Sequence, residues 1–236
     1  MLITLITCTG SRPEAFARCE YYMARQTYKG PLQWIIVDDG TEPTPVIPAD
    51  YKEVYRPEEL WREGINTQRP NMNLALKHVR GDFILVIEDD DWYHPDFIRS
   101  YSDLLSRFPL VGEGKADYYN VASQGYKQID NYYHASLCQT GLRKELLPVL
   151  YNAVNSGQLY FDIQFWNTCA GSHVQRCIFM DKKLLVGIKG MPGRGGIGVG
   201  HRTKDCMYDP GWNKLKEWIG DDSKFYEKYS VLNGRK

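Results

Sequence analysis

The sequence has no net charge and no long hydrophobic run. Its 236 residues include 29 Lys or Arg and 29 Asp or Glu, so it lacks the surplus of positive charge on which non-specific binding to nucleic acids or anionic membranes depends. The longest clear apolar run, residues 83–87, is far shorter than the roughly 18 residues that indicate a membrane span. We therefore expect a protein without a membrane span.

The six cysteines form no C-x-x-C pair. Scattered cysteines give neither the ligand spacing of a zinc site nor a dense disulfide framework. Residues 1–7 have no basic segment and no small-residue cleavage site, and they alternate as in a strand, which argues against a signal peptide. These absences predict a reducing, cytoplasmic location.

What the sequence does contain is the composition and pattern of an α/β protein. Hydrophobic residues make up 43% of the chain and charged residues 25%, as in globular proteins with a buried core. Short apolar runs alternate with amphipathic stretches, which indicates βαβ units and a mixed, mostly parallel central sheet flanked by helices. In the first half, strands are predicted at residues 2–7, 33–37, 52–55 and 83–87. One helix is predicted to follow a Ser-x-x-Glu capping box at residues 11–14, and a second helix is predicted at residues 71–80.

The second half follows a less regular pattern. Helices are predicted at residues 95–108, 144–153 and 160–168, and strands at 116–122, 132–137, 174–180 and 184–188. A glycine-rich loop covers residues 190–200, and a helical tail begins at 212. No repeat or linker divides the chain, so we expect a single domain over residues 1–236 with a C-terminal appendage.

Four consecutive carboxylates, Glu88 to Asp91, directly follow the most apolar predicted strand. They repel one another, so a positive partner is expected to compensate them. A divalent cation with oxygen ligands, Mg²⁺ or Mn²⁺, would do so, and ligands bind at the carboxyl ends of strands in parallel sheets. The alternative is a solvated acidic turn.

This segment resembles the metal motif of GT-A glycosyltransferases, especially the inverting family 2-like enzymes. Their pattern is a Gly-acid-aromatic-apolar strand that ends in D-x-D, and residues 81–84 (Gly-Asp-Phe-Ile) lead here to Glu88, Asp89 and Asp90. The resemblance implies a Rossmann-like GT-A domain in which Asp90 binds the metal. Glu88 departs from the usual first Asp, so whether Glu88 or Asp89 does that residue's work stays open.

Two further loops are similar to donor-binding loops of the same family. The segment with Thr7, Thr9 and Arg12 resembles the loop that follows the first strand, and Asp38 and Asp39 stand in an Asp-Asp-Gly-Thr sequence like the family's D-D-G-S/T. The resemblance implies that these residues bind the nucleotide of the donor, by default a UDP-sugar. It also divides the chain into a nucleotide-sugar half (1–100), an acceptor-side half (101–211) and a tail (212–236).

The family also carries an Arg-Asn pair on the helix before the D-x-D strand. Asn73 matches the Asn of this pair, but Met72 replaces the Arg. Arg69 is a candidate substitute.

An inverting transfer needs a carboxylate that takes the proton of the acceptor hydroxyl. Asp162 is the best candidate because apolar and aromatic neighbours surround it in sequence, and such surroundings can raise a carboxyl pKa. A helix cap or a structural ion pair is the competing interpretation of Asp162. Asp130 and Asp117 are the alternative bases.

The glycine-rich loop formally contains G-x-G-x-x-G, but no helical pattern follows it, so the sequence does not support a dinucleotide-binding fold. Many GT-A enzymes close a C-terminal loop over the diphosphate, and several use a histidine there as a further metal ligand. By this resemblance His201 is a candidate ligand, and Arg194 is a candidate phosphate contact.

Together these features predict an Mn²⁺- or Mg²⁺-dependent enzyme that transfers a sugar from a nucleotide sugar to a hydroxyl acceptor. The acceptor could be a glycan, a lipid carrier, a protein or a modified DNA base. One alternative is a sugar-phosphate nucleotidyltransferase, although the Gly-Gly-x-Gly-Thr-Arg loop of those enzymes is missing. The other is a non-catalytic module that binds nucleotide sugars or glycans.

Overall fold

The computed structural model describes residues 1–196 and 199–230. Its strands are β1 Ile3–Thr9, β2 Leu32–Asp38, β3 Lys52–Tyr55, β4 Phe83–Val86, β5 Trp92–Tyr93, β6 Leu110–Glu113, β7 Lys115–Asn120, β8 Gly125–Asp130, β9 Thr140–Arg143, β10 Arg176–Phe179, β11 Leu185–Lys189 and β12 Met207–Tyr208. Its α-helices are α1 Pro13–Ala24, α2 Gln68–Leu76, α3 Phe97–Leu105, α4 Leu147–Val154, α5 Phe161–Gly171 and α6 Asn213–Ile219. Short 3₁₀ helices lie at Leu137–Gln139, Lys144–Leu146, Val199–His201, Gly220–Phe225 and Glu227–Tyr229.

The main sheet has seven strands in the order β10-β6-β9-β4-β1-β2-β3. β9 runs antiparallel to its neighbours β4 and β6, and the other neighbouring pairs are parallel. The predicted α/β fold with a mostly parallel sheet is therefore confirmed. Because β1, β2 and β4 are parallel neighbours, their carboxyl ends lie at one edge of the sheet.

The sheet is covered by helices on both faces because its central strands are apolar on both faces. Alternate residues of a strand point to opposite sides, so Leu5 lies in one core and Ile6 in the other. Helices α1 and α3 contribute to the core around Leu5, where Phe16 packs against Trp34 with ring centroids 6.0 Å apart. Helices α2, α4 and α5 contribute to the core around Ile6.

A second sheet, in the order β12-β8-β7-β11-β5, adjoins the acidic segment. β5 begins directly after Asp91 and pairs antiparallel with β11, where Val186 lies opposite Trp92. β11 also pairs in parallel with β7, and the last residue of β11 is Lys189. This sheet therefore brings the end of β11 to the carboxylates that follow β4.

Several predicted elements differ from the structure. Residues 132–136 contain no strand, because the β-hairpin partner of β7 is β8, reached through a turn in which Gln124 has φ +50°. Helix α1 has Arg12 at its N-cap with no side-chain capping bond, so the predicted capping box is wrong. The short strands β6 and β9 were not predicted; each has four residues and contains a glycine.

Among the described residues, every helix is too short or too polar to cross a membrane. Two predicted features extend beyond the described part of the chain. Residues 197–198 of the glycine-rich loop and residues 231–236 of the predicted tail lie outside it.

Candidate active site

Asp89 lies fully buried at the carboxyl end of β4, next to the end of β1. It accepts a hydrogen bond of 2.6 Å from Thr9 Oγ1, and it forms an ion pair of 2.5 Å with Arg12 Nη2. The parallel pairing of β1 and β4 thus brings together three residues that the sequence assigned to the donor site.

Asp90 is held between two cations. Arg12 Nη1 is 3.1 Å from Oδ2 of Asp90, and Lys189 Nζ is 3.1 Å from Oδ1. Burial raises the pKa of Asp90, but the charges of Lys189 and Arg12 outweigh burial, so its pKa lies below the ordinary value. Asp90 is therefore ionised at neutral pH.

Lys189 is the main residue that the sequence analysis missed. Its side chain is only 4% exposed, and its ammonium also lies 2.7 Å from Asp91 and 3.4 Å from Glu88. The one sequence signal for it was the expectation that something positive must compensate four adjacent carboxylates, which was assigned to a metal ion. Part of that compensation comes from Lys189 and Arg12.

Asp38 and Asp39 play different parts at the end of β2. Asp38 accepts hydrogen bonds from the backbone of Gly40 and Thr44 and pairs with Arg56 Nη1 at 2.7 Å. These bonds hold the loop after β2 in place. Asp38 is absent from the cavity lining described below.

Asp39 instead accepts hydrogen bonds from polar side chains of two segments, helix α2 with its N-cap and the glycine-rich loop. Its carboxylate accepts hydrogen bonds from Thr67 Oγ1, from Asn71 Nδ2 at 2.6 Å and from Arg194 Nη1 at 2.8 Å. Gly10 lies against Asp39 with φ +150°, and a side chain there would overlap both Asp39 and the backbone of Gly40. The close approach of these two loops therefore requires glycine at position 10.

A cavity of about 500 Å³ opens at this edge of the sheet. Both halves of the chain contribute to its wall, and the polar residues that line it include Arg12, Glu88, Asp89, Asp90, His134, Asp162, Lys189, Arg194 and His201. Most of the predicted site residues therefore meet in one cavity. Its volume is in the range typical of small-molecule sites.

Asp162 lies in the first turn of α5 and lines this cavity. One of its oxygens accepts a hydrogen bond of 2.9 Å from the backbone N–H of Ile163, and burial raises the pKa of its carboxyl. The alternative bases lie elsewhere: Asp117 is buried in an ion pair with Lys183, and Asp130 is exposed. Neither Asp117 nor Asp130 belongs to the described lining of the cavity.

Six predicted donor residues do not belong to the described lining of the cavity: Thr7, Thr9, Asp38, Asp39, Arg69 and Asn73. Thr9 and Asp39 lie beside it, through their bonds to Asp89 and Arg194. Thr7 is buried and accepts a hydrogen bond of 2.9 Å from Trp34 Nε1. Asn73 exchanges amide hydrogen bonds with Asn155, and Arg69 Nη2 donates to the carbonyl of Gln158 at 3.4 Å.

The asparagine of α2 that donates a hydrogen bond to Asp39 is Asn71, not the predicted site residue Asn73. Two residues correspond to about 200° of helix rotation, so these side chains point to opposite sides of α2. Thr67 at the N-cap of α2 also reaches Asp39. The sequence analysis named neither Asn71 nor Thr67 as a site residue.

The chemistry of the cluster fits a hard divalent ion. Oxygens of Glu88 and Asp91 and the Cys138 sulfur lie within 4.8 Å of one another, and Asp91 Oδ2 is buried without a hydrogen-bond donor among the described residues. Burial raises the pKa of the Cys138 thiol and also that of the Glu88 and Asp91 carboxyl groups, and a bound divalent ion would favour the ionised carboxylates, whose oxygens are the ligands that hard ions prefer. The predicted ligands Asp90 and His201 line the same cavity but lie outside this group in the described chain.

His201 is suited to ligation in its protonation state. Burial, reinforced by the charge of Lys189, lowers the pKa of His201 to about 4, so its imidazole is neutral at pH 7. Its Nδ1 accepts a hydrogen bond of 3.3 Å from the backbone N–H of Gly196. A neutral imidazole whose Nδ1 accepts carries its proton on Nε2, so ligation through Nε2 would require the other tautomer of His201, with this hydrogen bond broken.

The sequence profile of the family described as Glycosyl transferase family 2 matches residues 4–165, more than half of the chain. The match includes β1 to β4, the acidic segment and Asp162. Among curated proteins, none matches the sequence significantly.

Solved structures with similar folds include TarS and a mannosyltransferase. TarS 1-349 from S. aureus in complex with UDP has a TM-score of 0.58 and 14% identity, over 80% of this chain and 60% of that one. The mannosyltransferase PcManGT from Pyrobaculum calidifontis, in complex with GDP-Man and Mn²⁺, has a TM-score of 0.59 and 16% identity, over 82% of this chain and 58% of that one. The chain thus spans about 60% of the length of these structures.

Proposed function

The chain belongs to glycosyl transferase family 2, and from this premise we propose that it transfers a sugar from a nucleotide diphosphate sugar to a hydroxyl acceptor, with inversion at the anomeric carbon. The observation that carries the proposal is one cavity lined both by the acidic segment after β4 and by Asp162. An inverting transfer needs both features: a site for the activated donor and a carboxylate that acts on the acceptor.

The nucleoside of the donor is assigned to the part of the cavity lined by Trp61 and Thr67. Asp39 and Asn71 form a buried polar group with Thr67 directly behind this wall. Carboxylate and amide side chains can recognise the hydroxyls of a ribose or the edge of a base. A UDP-sugar is our first choice of donor, which is supported by similar structures of TarS in complex with UDP and with UDP-GlcNAc.

The diphosphate is assigned to the cations of the cavity. Arg12, Lys189 and Arg194 all line it, and guanidinium and ammonium groups stabilise the charge that develops on a departing phosphate. Asp90 and Glu88, with His201, are the residues that would hold Mn²⁺ or Mg²⁺. When bound, the metal would supply further positive charge to the leaving diphosphate.

Asp162 is the proposed base. Its carboxylate takes the proton of the acceptor hydroxyl as the hydroxyl oxygen forms a bond to the anomeric carbon and the bond to the diphosphate oxygen breaks. The electron pair of that bond leaves with the nucleoside diphosphate, so atoms and charges balance. The raised pKa of Asp162 makes its carboxylate a stronger base than an exposed one.

The acceptor is proposed only as a hydroxyl compound of the predicted classes: glycan, lipid carrier, protein or modified DNA base. We assign its binding to the acceptor-side half, residues 101–211, within a single domain. The cytoplasm stays the proposed location.

Replacing Asp162 by Asn tests the proposal. We expect transfer, or hydrolysis of the donor by water, to slow by about 10²–10⁴-fold, while the Kd for the nucleotide sugar changes little. Asp130→Asn is the matched control because Asp130 is exposed and outside the cavity lining. Near-normal turnover by Asp162→Asn would remove it as the base.

A further inference from the structure

The ammonium of Lys189 lies where a metal ion would have to bind. It is within 3.4 Å of oxygens from Glu88, Asp90 and Asp91, and the side chain is almost completely buried. A lysine ammonium has three N–H donors, so each of these carboxylates can accept one of them. Lys189 thus makes the kind of multiple oxygen contacts that a hard divalent cation makes.

Both oxygens of Asp90 are already in use. Oδ1 faces Lys189 Nζ and Oδ2 faces Arg12 Nη1, each at 3.1 Å. A divalent ion that binds Asp90 must therefore displace at least one of these cations or share an oxygen with it. Lys189 also contacts Glu88, the other carboxylate proposed as a ligand.

The charges leave room for a second cation. Four carboxylates, Glu88 to Asp91, face the two positive charges of Arg12 and Lys189. The four carboxyl groups outnumber these two cations, burial raises the pKa of Glu88, Asp89 and Asp91, and Asp91 Oδ2 is buried without a hydrogen-bond partner among the described residues. The cluster can attract a divalent ion, but Lys189 opposes that ion by direct repulsion and by occupying its ligands.

We propose that Lys189 is a built-in competitor of the divalent ion, which occupies Asp90 and Glu88 in the absence of donor and so weakens metal binding by the free protein. A nucleotide diphosphate in the cavity offers the ammonium new negative partners. Release of Lys189 from Asp90 then links metal binding to donor binding. This inference rests on the proposed function, which includes the divalent metal ion.

The test measures Mn²⁺ binding in the absence of any nucleotide sugar, by calorimetry and by the electron paramagnetic resonance of free Mn²⁺. We expect Lys189→Gln to bind Mn²⁺ about tenfold or more tightly than the unmodified protein, because a positive charge next to the ligands is lost. Lys189→Arg, which keeps the charge, should bind like the unmodified protein. Lys182→Gln removes an exposed lysine that precedes the other end of β11, and it serves as the control.

Equal Mn²⁺ affinity in Lys189→Gln and the unmodified protein would overturn the inference, as would weaker binding in Lys189→Gln. Because Lys189→Gln removes the cation that pairs with the buried carboxylate of Asp91, its folding is measured by circular dichroism with and without millimolar Mn²⁺. Folding that depends on Mn²⁺ supports the exchange of one cation for the other, whereas a variant that stays unfolded with Mn²⁺ contradicts it. Since no donor is present, a failure here is distinguishable from a failure of the proposed transferase activity.

Discussion

Arg194 and Asp39 are 155 residues apart in sequence and form an ion pair in which Nη1 of Arg194 lies 2.8 Å from Oδ1 and 3.0 Å from Oδ2 of Asp39. The contact joins the glycine-rich loop to the end of β2. Asp39 is fully buried, and the Arg194 side chain is only 12% exposed. Arg194 therefore pairs with the carboxylate next to the wall that we assign to the nucleoside.

Replacing Arg194 by Gln should release the loop from Asp39. Removing the partner of a buried carboxylate costs free energy, so the loop should lose its attachment to Asp39 and open more often. We therefore expect the backbone amides of residues 191–196 to exchange hydrogen roughly tenfold faster or more. Hydrogen exchange with mass spectrometry measures this. Arg202→Gln is the control, because the Arg202 side chain is exposed and donates a hydrogen bond of 3.3 Å to the Tyr160 hydroxyl rather than to a buried carboxylate. Unchanged exchange in Arg194→Gln would show that the ion pair does not hold the loop.

The activity should fall at acid pH because of Asp162. The base must be ionised, and burial raises the pKa of Asp162 above its ordinary value of 3.8. As the pH is lowered through that raised pKa, Asp162 gains a proton and kcat/KM should fall with unit slope. The profile is measured with circular dichroism at each pH to exclude unfolding. A rate that stays constant down to pH values near 4 would contradict the role given to Asp162.

Arg12 should matter far more for stability than an exposed arginine. Its guanidinium pairs with Asp89, which is fully buried, and we expect Arg12→Ala to lower the free energy of unfolding by about 3–5 kcal/mol. Arg80→Ala removes a pair with Glu53 in which Arg80 is 62% exposed, so the expected loss is about 1 kcal/mol or less. Urea unfolding of both variants measures the contrast, and similar losses would contradict this interpretation.

Glu113 should make the stability depend on pH. It is fully buried, Oε1 accepts a hydrogen bond from the backbone N–H of Leu184, and burial raises the pKa of its carboxyl to about 8. The unfolded chain releases this proton near pH 4.5, whereas the folded protein keeps it up to about pH 8. Since the folded state binds more protons in this window, the free energy of unfolding should decrease as the pH rises through it.

Glu113→Gln should remove this part of the pH dependence. We expect a flatter plot of unfolding free energy against pH between about 4.5 and 8, with the slope changed by at most about 1.4 kcal/mol per pH unit. Glu145→Gln, at an exposed position, is the control. A plot for Glu113→Gln that matches the unmodified protein would show that Glu113 is not the group responsible.

Local patterns in the sequence were sufficient to predict the central strands and to identify the acidic segment as a site. The apolar run before Glu88 predicts the strand that it forms, and the D-D-G sequence at Asp38 predicts the turn that follows the second strand. Because the predicted strands are parallel, both segments are expected at the same edge of the sheet. The resemblance then supplied roles for Arg12 and Asp90, which the structure places together in one cavity.

Long-range register explains what the sequence did not reveal. Lys189 reaches Asp90 only because β11 pairs with both β5 and β7, and no local pattern reports those pairings. Asn71 was missed because Asn73 fits the family motif better, although the two side chains point to different sides of α2. The strand predicted at 132–137 was wrong because apolar residues there contact the cores from irregular backbone and a 3₁₀ turn at Leu137–Gln139.

The most direct test of the proposed transferase is release of nucleoside diphosphate from a panel of nucleotide sugars, with Mn²⁺ and with water as the default acceptor. We predict that the unmodified protein releases the diphosphate from at least one sugar nucleotide, with UDP-sugars first, and that Asp90→Ala abolishes the release. A folded protein that neither binds nor cleaves any member of the panel would contradict the account.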